Sequence, residues 1–340
     1  MSTEAPLEQS SLALSRRRKR GWFMRNFARP ETGALVAAVA VFIFFSLASP
    51  HFLSERVIGT IMLSSATLGI LAVGVGLLMI AGQFDLSVGS VYGLASGITL
   101  MLLNAGVEAP IVLVITLVTG LAIGAVNGLL VTKLGIHSLI ITLGALMFYR
   151  GCLLALTGGF PIRLNAEHAF LDAFDFIWGP PPNGWMQGPF FWFLVLVVVF
   201  HIVLSRHRFG NHIYAVGGNE QSAIAVGIRT VRTQVTAFML CSMMATFAGF
   251  ISVARFSSTD GLRGQSMELE VVLAVVIGGA SLTGGYGSIV GAALGVLMVA
   301  MVQQGLILLG VQVYWYRAGI GILLIAAAVI NHMVRKRMHA

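Results

Sequence analysis

The chain is built from long apolar runs cut by short polar breaks. Apolar stretches cover Gly33–Ser49, Val57–Ala81, Leu86–Leu103, Pro110–Thr132, Ser138–Leu156, Phe190–Ser205, Thr233–Ala254, Leu269–Ala280, Ser288–Leu309 and Tyr314–Met333. Most approach the ~20 residues a helix needs to cross a bilayer. They predict an all-α polytopic membrane protein of about ten transmembrane helices, the eighth short and extended toward Gln265. The polar start and the length of the first run fit a retained helix better than a cleaved signal peptide, whose apolar core is only about 7–15 residues.

Composition agrees with the pattern. The 340 residues are 57% hydrophobic and 10% charged, against about 25% charged in soluble domains. So few charges exclude a soluble enzyme, a secreted binding protein or a nucleic-acid-binding domain as the body of the chain. The low charge and high apolar content also exclude disorder.

The net charge of +8 reads as an orientation signal. With ten crossings and both termini inside, the inner segments hold Arg16–Arg20, Arg25, Arg29, Lys133, Arg206, Arg208, Arg229, Arg232 and Arg335–Arg337, fifteen of the 21 basic residues. The outer segments keep Arg56, Arg163, Arg255, Arg263 and Arg317, and Arg150 falls within a span. This bias is the positive-inside pattern. The chain divides into a basic cytoplasmic segment at 1–32, one transmembrane domain at 33–333 and a basic tail at 334–340. The connection from Gly158 to Gly188, with Glu167, Asp172, Asp175 and Pro180–Pro182, is expected outside.

The 40 glycines follow a spacing. Gly89, Gly93 and Gly97 align with Gly287, Gly291 and Gly295 in two similar stretches, and Gly120, Gly124 and Gly128 repeat the device. Glycine every fourth residue clears a helix face for close approach of a neighbour. Either convergence on a packing motif or an internal duplication of the kind known in transporters accounts for the likeness.

Enzyme motifs fail on inspection. Gly279-Ala-Ser-Leu-Thr-Gly284 opens like a phosphate loop, but Gly285 and Tyr286 stand where lysine and a hydroxyl residue are needed. Gly82-Gln-Phe-Asp85 lacks the second glycine of aspartyl membrane proteases, and no second intramembrane aspartate shares its proton. There is no His-Glu-x-x-His zinc motif, and His201, His207 and His212 are irregularly spaced. Cys152 and Cys241, inside apolar runs, read as small buried residues.

Polar residues at membrane depth remain, and these are costly enough to be functional candidates. Gln83, Asp85, Asn127 and Gln303 are candidates for a translocation path or an inner turn. Asp85 also suits a cap at the start of the third helix. In the inner connection Arg206–Arg232, Gly218, Asn219, Glu220, Ala223 and Gly227 predict a helix of about two turns, with Asn219 as N-cap and Gly227 ending it. A helix that short is marginal alone in water, so it docks, either on its own membrane domain or on a partner.

Gly82-Gln-Phe-Asp-Leu-Ser-Val-Gly-Ser90, Arg208-Phe-Gly-Asn-His-Ile-Tyr-Ala-Val-Gly-Gly-Asn-Glu220, Glu268–Ser288 and Gln304-Gly-Leu-Ile-Leu-Leu-Gly-Val311, in this order, resemble the membrane permeases of ribose-type ABC importers. The resemblance covers roughly Gly33 to Arg335. Gln83-Phe84 departs from the glycine and aliphatic residue usual there. The resemblance implies a permease of the bacterial inner membrane for a monosaccharide or related polyol. It also implies a second permease copy as a homodimer, a periplasmic sugar-binding protein and a cytoplasmic ABC ATPase with two nucleotide-binding halves. No cofactor is expected on this chain, since ATP and Mg belong to the ATPase, and no nucleic acid is expected. The Asn219–Gly227 helix would dock into the ATPase. Alternatives are an ABC permease for another small solute, such as a nucleoside or amino acid, and an ion-coupled secondary transporter.

Overall fold

The computed structural model describes residues 30–165, 188–312, 314–316, 318–322 and 325. The basic clusters at both ends, most of the connection after Gly158 and most of the expected last span lie outside them. In chain order the described elements are α1 (Pro30–Ala48), α2 (Glu55–Ile80), α3 (Val88–Asn104), α4 (Ala109–Leu134), α5 (Ser138–Thr157), β1 (Ile162–Arg163), α6 (Gly188–Arg206), α7 (Arg208–Gly218), α8 (Glu220–Ala225), α9 (Thr230–Phe256), β2 (Ser258–Thr259), α10 (Met267–Ile277) and α11 (Ile289–Leu308). Among the described residues, seven helices are long and apolar enough to cross a membrane: α1, α2, α4, α5, α6, α9 and α11. The two strands form only a two-residue antiparallel ladder, Ile162 opposite Thr259. The chain is an all-α polytopic membrane protein.

Two expected spans are changed. Met267–Ile277 has 11 residues and rises only about 16 Å, too little to cross. The apolar run continues past it, but Gly278 and Gly279, the latter at φ 92°, end the helix. The third span is shifted by only one or two residues and nearly keeps its length, α3 covering the 17 residues Val88–Asn104.

Helices α2 and α9 form the centre. Nearly every residue from Ser65 to Ile80 is buried, as expected of a helix that is apolar all round and surrounded by others. A Cβ at Gly74 would lie 2.9 Å from Cys241 Cα on α9, so Cys241 marks the point where the two backbones cross. Against α9 packs α4, whose Gly120, Gly124 and Gly128 face Met243, Phe238 and Val235 with no room for a Cβ. By contrast, α1, α5 and α6 expose large apolar side chains such as Phe44, Phe148 and Ile202, the surface a bilayer would solvate.

The paired glycine stretches converge on one element. Gly89 and Gly93 of α3 lie against the chain leading into α10, at Gly264 and Arg263, and Gly97 packs on Leu153. Gly291 and Gly295 of α11 lie against Gly278 and Ala274 at the other end of α10. Gly287 is not helical. It sits at φ 149° ahead of Ser288, whose Oγ accepts from Gly291 N–H at 2.9 Å and starts α11.

Candidate functional site

Two interrupted helices begin inside the bundle. After α2, Gly82 turns the chain at φ 80°, and Phe84 N–H donates to Ser138 Oγ at 3.1 Å, at the start of α5. The chain then climbs as non-helical backbone. Its Ser87 reaches Asn127, about two turns inside the α4 terminus, before α3 begins. On the opposite face α9 ends at Ser257, φ 47°, and residues 257–266 descend beside α3 until α10 starts. Non-helical backbone at this depth needs internal partners. Arg150 supplies them, donating from Nη1 to Gly261 O at 3.1 Å and Arg263 O at 2.6 Å.

The two helix starts meet. A Cβ on Gly89, in the first turn of α3, would strike Glu268 and Gly264 at the start of α10. Each start holds a carboxylate, as the positive end of a helix dipole favours. Asp85 is 1% exposed, and its Oδ1 accepts from Ser87 N–H at 2.8 Å and Ser87 Oγ at 2.5 Å. Behind it, Tyr149 OH donates to Asn127 Oδ1 and Asn127 Nδ2 donates to Ser87 Oγ, both at 3.2 Å. Each donor points along the chain toward the carboxylate, an arrangement in which successive bonds polarise one another. Asp85 is thus not the expected cap: the N-cap of α3 is Ser87, with no side-chain cap bond, and Asp85 closes a turn onto Ser87 just ahead of the helix. The second oxygens, Asp85 Oδ2 and Glu268 Oε2, are buried without a hydrogen-bond partner.

Beside this meeting point lies a cavity of about 340 Å³ between α2, α3, α9, α10 and α11. Ser64, Thr67, Tyr92, Arg255, Phe256, Asp260, Glu270 and Gln303 give it hydroxyl, guanidinium, carboxylate, amide and aromatic groups. Arg255 and Arg263 lie over the Phe256 ring at 4.8 and 4.6 Å from its centroid. Arg263 also reaches Asp260 at 3.7 Å. Such mixed polar and aromatic linings suit small polar ligands.

The sequence-selected polar residues do not form one site. Gln303 lines the cavity. Asp85 and Asn127 belong to the buried network, while Gln83 sits in the turn, its N–H bonded to Leu78 O at 3.1 Å. Tyr92, Arg255, Asp260 and Glu270 were not singled out from the sequence. Only the acidic pair Glu268 and Glu270, inside an otherwise apolar run, signals the location.

At the opposite end of α10 three backbones are pressed together. Gly285 N–H donates to Ile80 O at 2.8 Å, a Cβ at Gly217 would overlap Ile80 O, and Gly284 lies against Gly82. Tyr214 OH donates to Gly287 O at 2.8 Å. Burial holds the Tyr214 phenol above its ordinary value, so it stays a neutral donor. Gly218, expected in the short helix, instead ends α7, an 11-residue helix the sequence reading did not separate. Then comes α8, where Asn219 Oδ1 accepts from Ser222 N–H at 2.8 Å and Gly227 turns the chain at φ 83°. Ala223 is buried against the protein, while Ile224 and Val226 are 57% and 75% exposed.

Among the described residues no group of three or more His, Cys, Asp or Glu could hold a metal ion. The family described as branched-chain amino acid transport system / permease component matches residues 57–328. The chain belongs to this family. It is 32% identical over 305 residues to the autoinducer 2 import system permease protein LsrC of Photorhabdus luminescens, covering 90% of both chains. The protein of the same name from Escherichia coli O9:H4 is 35% identical over 306 residues, covering 90% of this chain and 87% of that one. That of Salmonella typhi is 33% identical, covering 90% and 86%. No solved structure matches the chain. The chain is thus a transport permease component, not an enzyme, and a multi-pass protein of the bacterial inner membrane.

Proposed function

We propose that this permease passes a monosaccharide or related polyol, driven by a separate ATPase and supplied by a periplasmic binding protein. The observation that carries the reading is the polar cavity beside the two helix starts. Ser64, Thr67, Gln303, Asp260 and Glu270 offer hydrogen-bond partners to a ring of hydroxyls. Tyr92 and Phe256 offer faces for the C–H side of a sugar. The likeness to autoinducer 2 import permeases over nine-tenths of the chain supports import as the direction.

The arrangement proposed is ten passes, the eighth made by α10 together with the non-helical backbone that flanks it, with both termini and α8 in the cytoplasm, two permease copies, and one transmembrane domain over 33–333. In it α8 meets the ATPase through Ile224 and Val226. The glycine junction passes its displacement to α2 and α10, whose far end borders the cavity. An amino acid is the second reading. It is favoured by the family's description and by Arg255 and Asp260, which could clamp a zwitterion.

Proteoliposomes holding the full chain, its ATPase and its binding protein decide between these readings. The expected result is ATP-dependent uptake of a labelled pentose or hexose. Uptake of leucine instead of sugars supports the second reading. Gradient-driven uptake by this chain alone, as a secondary transporter would show, overturns both.

A further inference from the structure

A second pocket, about 420 Å³, opens between α7 and the first turns of α9, next to α8. Its chemistry is one-sided. Arg229, Arg232 and His212 supply nitrogen groups from two elements, Phe209 supplies an apolar wall, and Gly227, Thr233 and Thr236 complete the lining. From Arg206 to Arg232 the one carboxylate is Glu220, and it does not line the pocket. Arg229, Arg232 and His212 make no ion pair among the described residues. Two guanidiniums that converge on an open pocket with no carboxylate are built to take an anion, and their forked donors match a phosphate.

The threonines narrow the choice. Thr233 Oγ1 donates to Arg229 O at 3.1 Å and Thr236 Oγ1 donates to Arg232 O at 2.8 Å. Each hydroxyl has spent its proton on the helix, so toward the pocket it can only accept. A ligand that complements the lining therefore carries an anion for the arginines and hydroxyl donors for the threonines. Depth selects between a soluble and a membrane source. Thr233 and Thr236 lie on the first two turns of a membrane-crossing helix, and the exposed, apolar Val231 sits beside Arg232. A phosphate seated there is at the level of lipid headgroups, its acyl chains continuing along apolar surface. Basic pockets of this kind at the cytoplasmic side of membrane helices take acidic lipid headgroups.

We infer that this pocket binds the headgroup of phosphatidylglycerol, its phosphodiester on Arg229 and Arg232 and its glycerol hydroxyls on Thr233 and Thr236. The inference rests on the inward orientation proposed above. It places a lipid next to the surface assigned to the ATPase, so the occupied pocket would brace α7 against α9.

The test uses the full chain purified in detergent and stripped of lipid, with bound lipid counted by native mass spectrometry. Phosphatidylglycerol should be retained over phosphatidylcholine, and R229Q/R232Q should weaken its binding about tenfold or more, as loss of two basic residues at a membrane surface implies. R229K/R232K, which keeps both charges but loses the forked donors, should bind more weakly than wild type and more tightly than R229Q/R232Q, and it decides the matter if the glutamine variant does not fold. T236V should weaken phosphatidylglycerol more than phosphatidic acid, which lacks the glycerol hydroxyls. Equal phosphatidylglycerol binding by wild type and R229Q/R232Q overturns the inference. So does displacement of the lipid by millimolar inorganic phosphate, which marks a soluble-anion site. Unchanged lipid binding with lost ATPase co-purification also overturns it, in favour of an acidic protein partner. None of these readouts depends on orientation. That reading is tested apart, by labelling V226C in intact cells with Cys152 and Cys241 replaced by serine: reaction with an impermeant reagent from outside would reject the orientation alone.

Discussion

Gly285 N–H donates to Ile80 O at 2.8 Å, and the space above that carbonyl is filled by the α-carbon of Gly217. Three chain segments thus touch backbone to backbone, with no side chain between them to deform. Interiors packed this closely transmit displacement instead of absorbing it.

Gly217→Ala should break this contact. Its new methyl overlaps Ile80 O, and overpacking at such a site costs about 1–3 kcal/mol. A lower melting temperature in detergent, with ATP-driven uptake falling further than protein abundance, is the expected pair of results. Normal uptake at normal stability would remove the junction from the coupling route.

A test at α8 belongs on its exposed side. Ala223 is buried, so a bulky residue there disturbs the chain's own packing before it reaches a partner. Ile224→Asp with Val226→Asp should leave the melting temperature nearly unchanged and abolish co-purification with the ATPase. Retained co-purification would assign docking to another surface.

Asp85→Ala removes the acceptor of two Ser87 bonds at the start of α3. Loss of hydrogen bonds to a charged group costs about 1.5–3 kcal/mol each. Asp85→Asn keeps an acceptor but introduces an amide donor, so it should fall between the alanine variant and the native chain. Thermal unfolding of the three proteins gives the order. An asparagine variant as stable as wild type but inactive in uptake would show that the charge itself serves transport.

In the cavity, Glu270→Gln should lower sugar uptake about tenfold, the scale of one hydrogen bond to a charged group, with no change in ATPase docking. Unchanged uptake would place the path elsewhere.

The long spans were legible because crossing a bilayer demands an unbroken apolar run, and the ends of α4 and α5 carried their signals in Gly135 and Gly158, both at positive φ. The α10 break was not. Val271–Ile277 is as apolar as any full span, and what shortens it is the close packing of Gly278 on Gly291, a contact between distant stretches. The short helix after Asn219 could be read from its cap and its terminating glycine. The helix before it, α7, was obscured by Gly210, Gly217 and Gly218, which are poor helix formers alone and are held by tertiary contact. The cavity had no local motif at all. Its lining runs from Ser64 to Gln303, and only folding brings those residues together.

Asn219 stands alone between α7 and α8 with an extended backbone, φ −159°. On one side of this single residue is Gly217, whose added Cβ would overlap Ile80 O, and on the other are Ile224 and Val226, both exposed. In the arrangement proposed above, the two duties of the connection, fitting the membrane core and fitting a partner, are therefore separable in sequence. The outer face of α8 could be redesigned for a different ATPase while the lever behind it is left untouched.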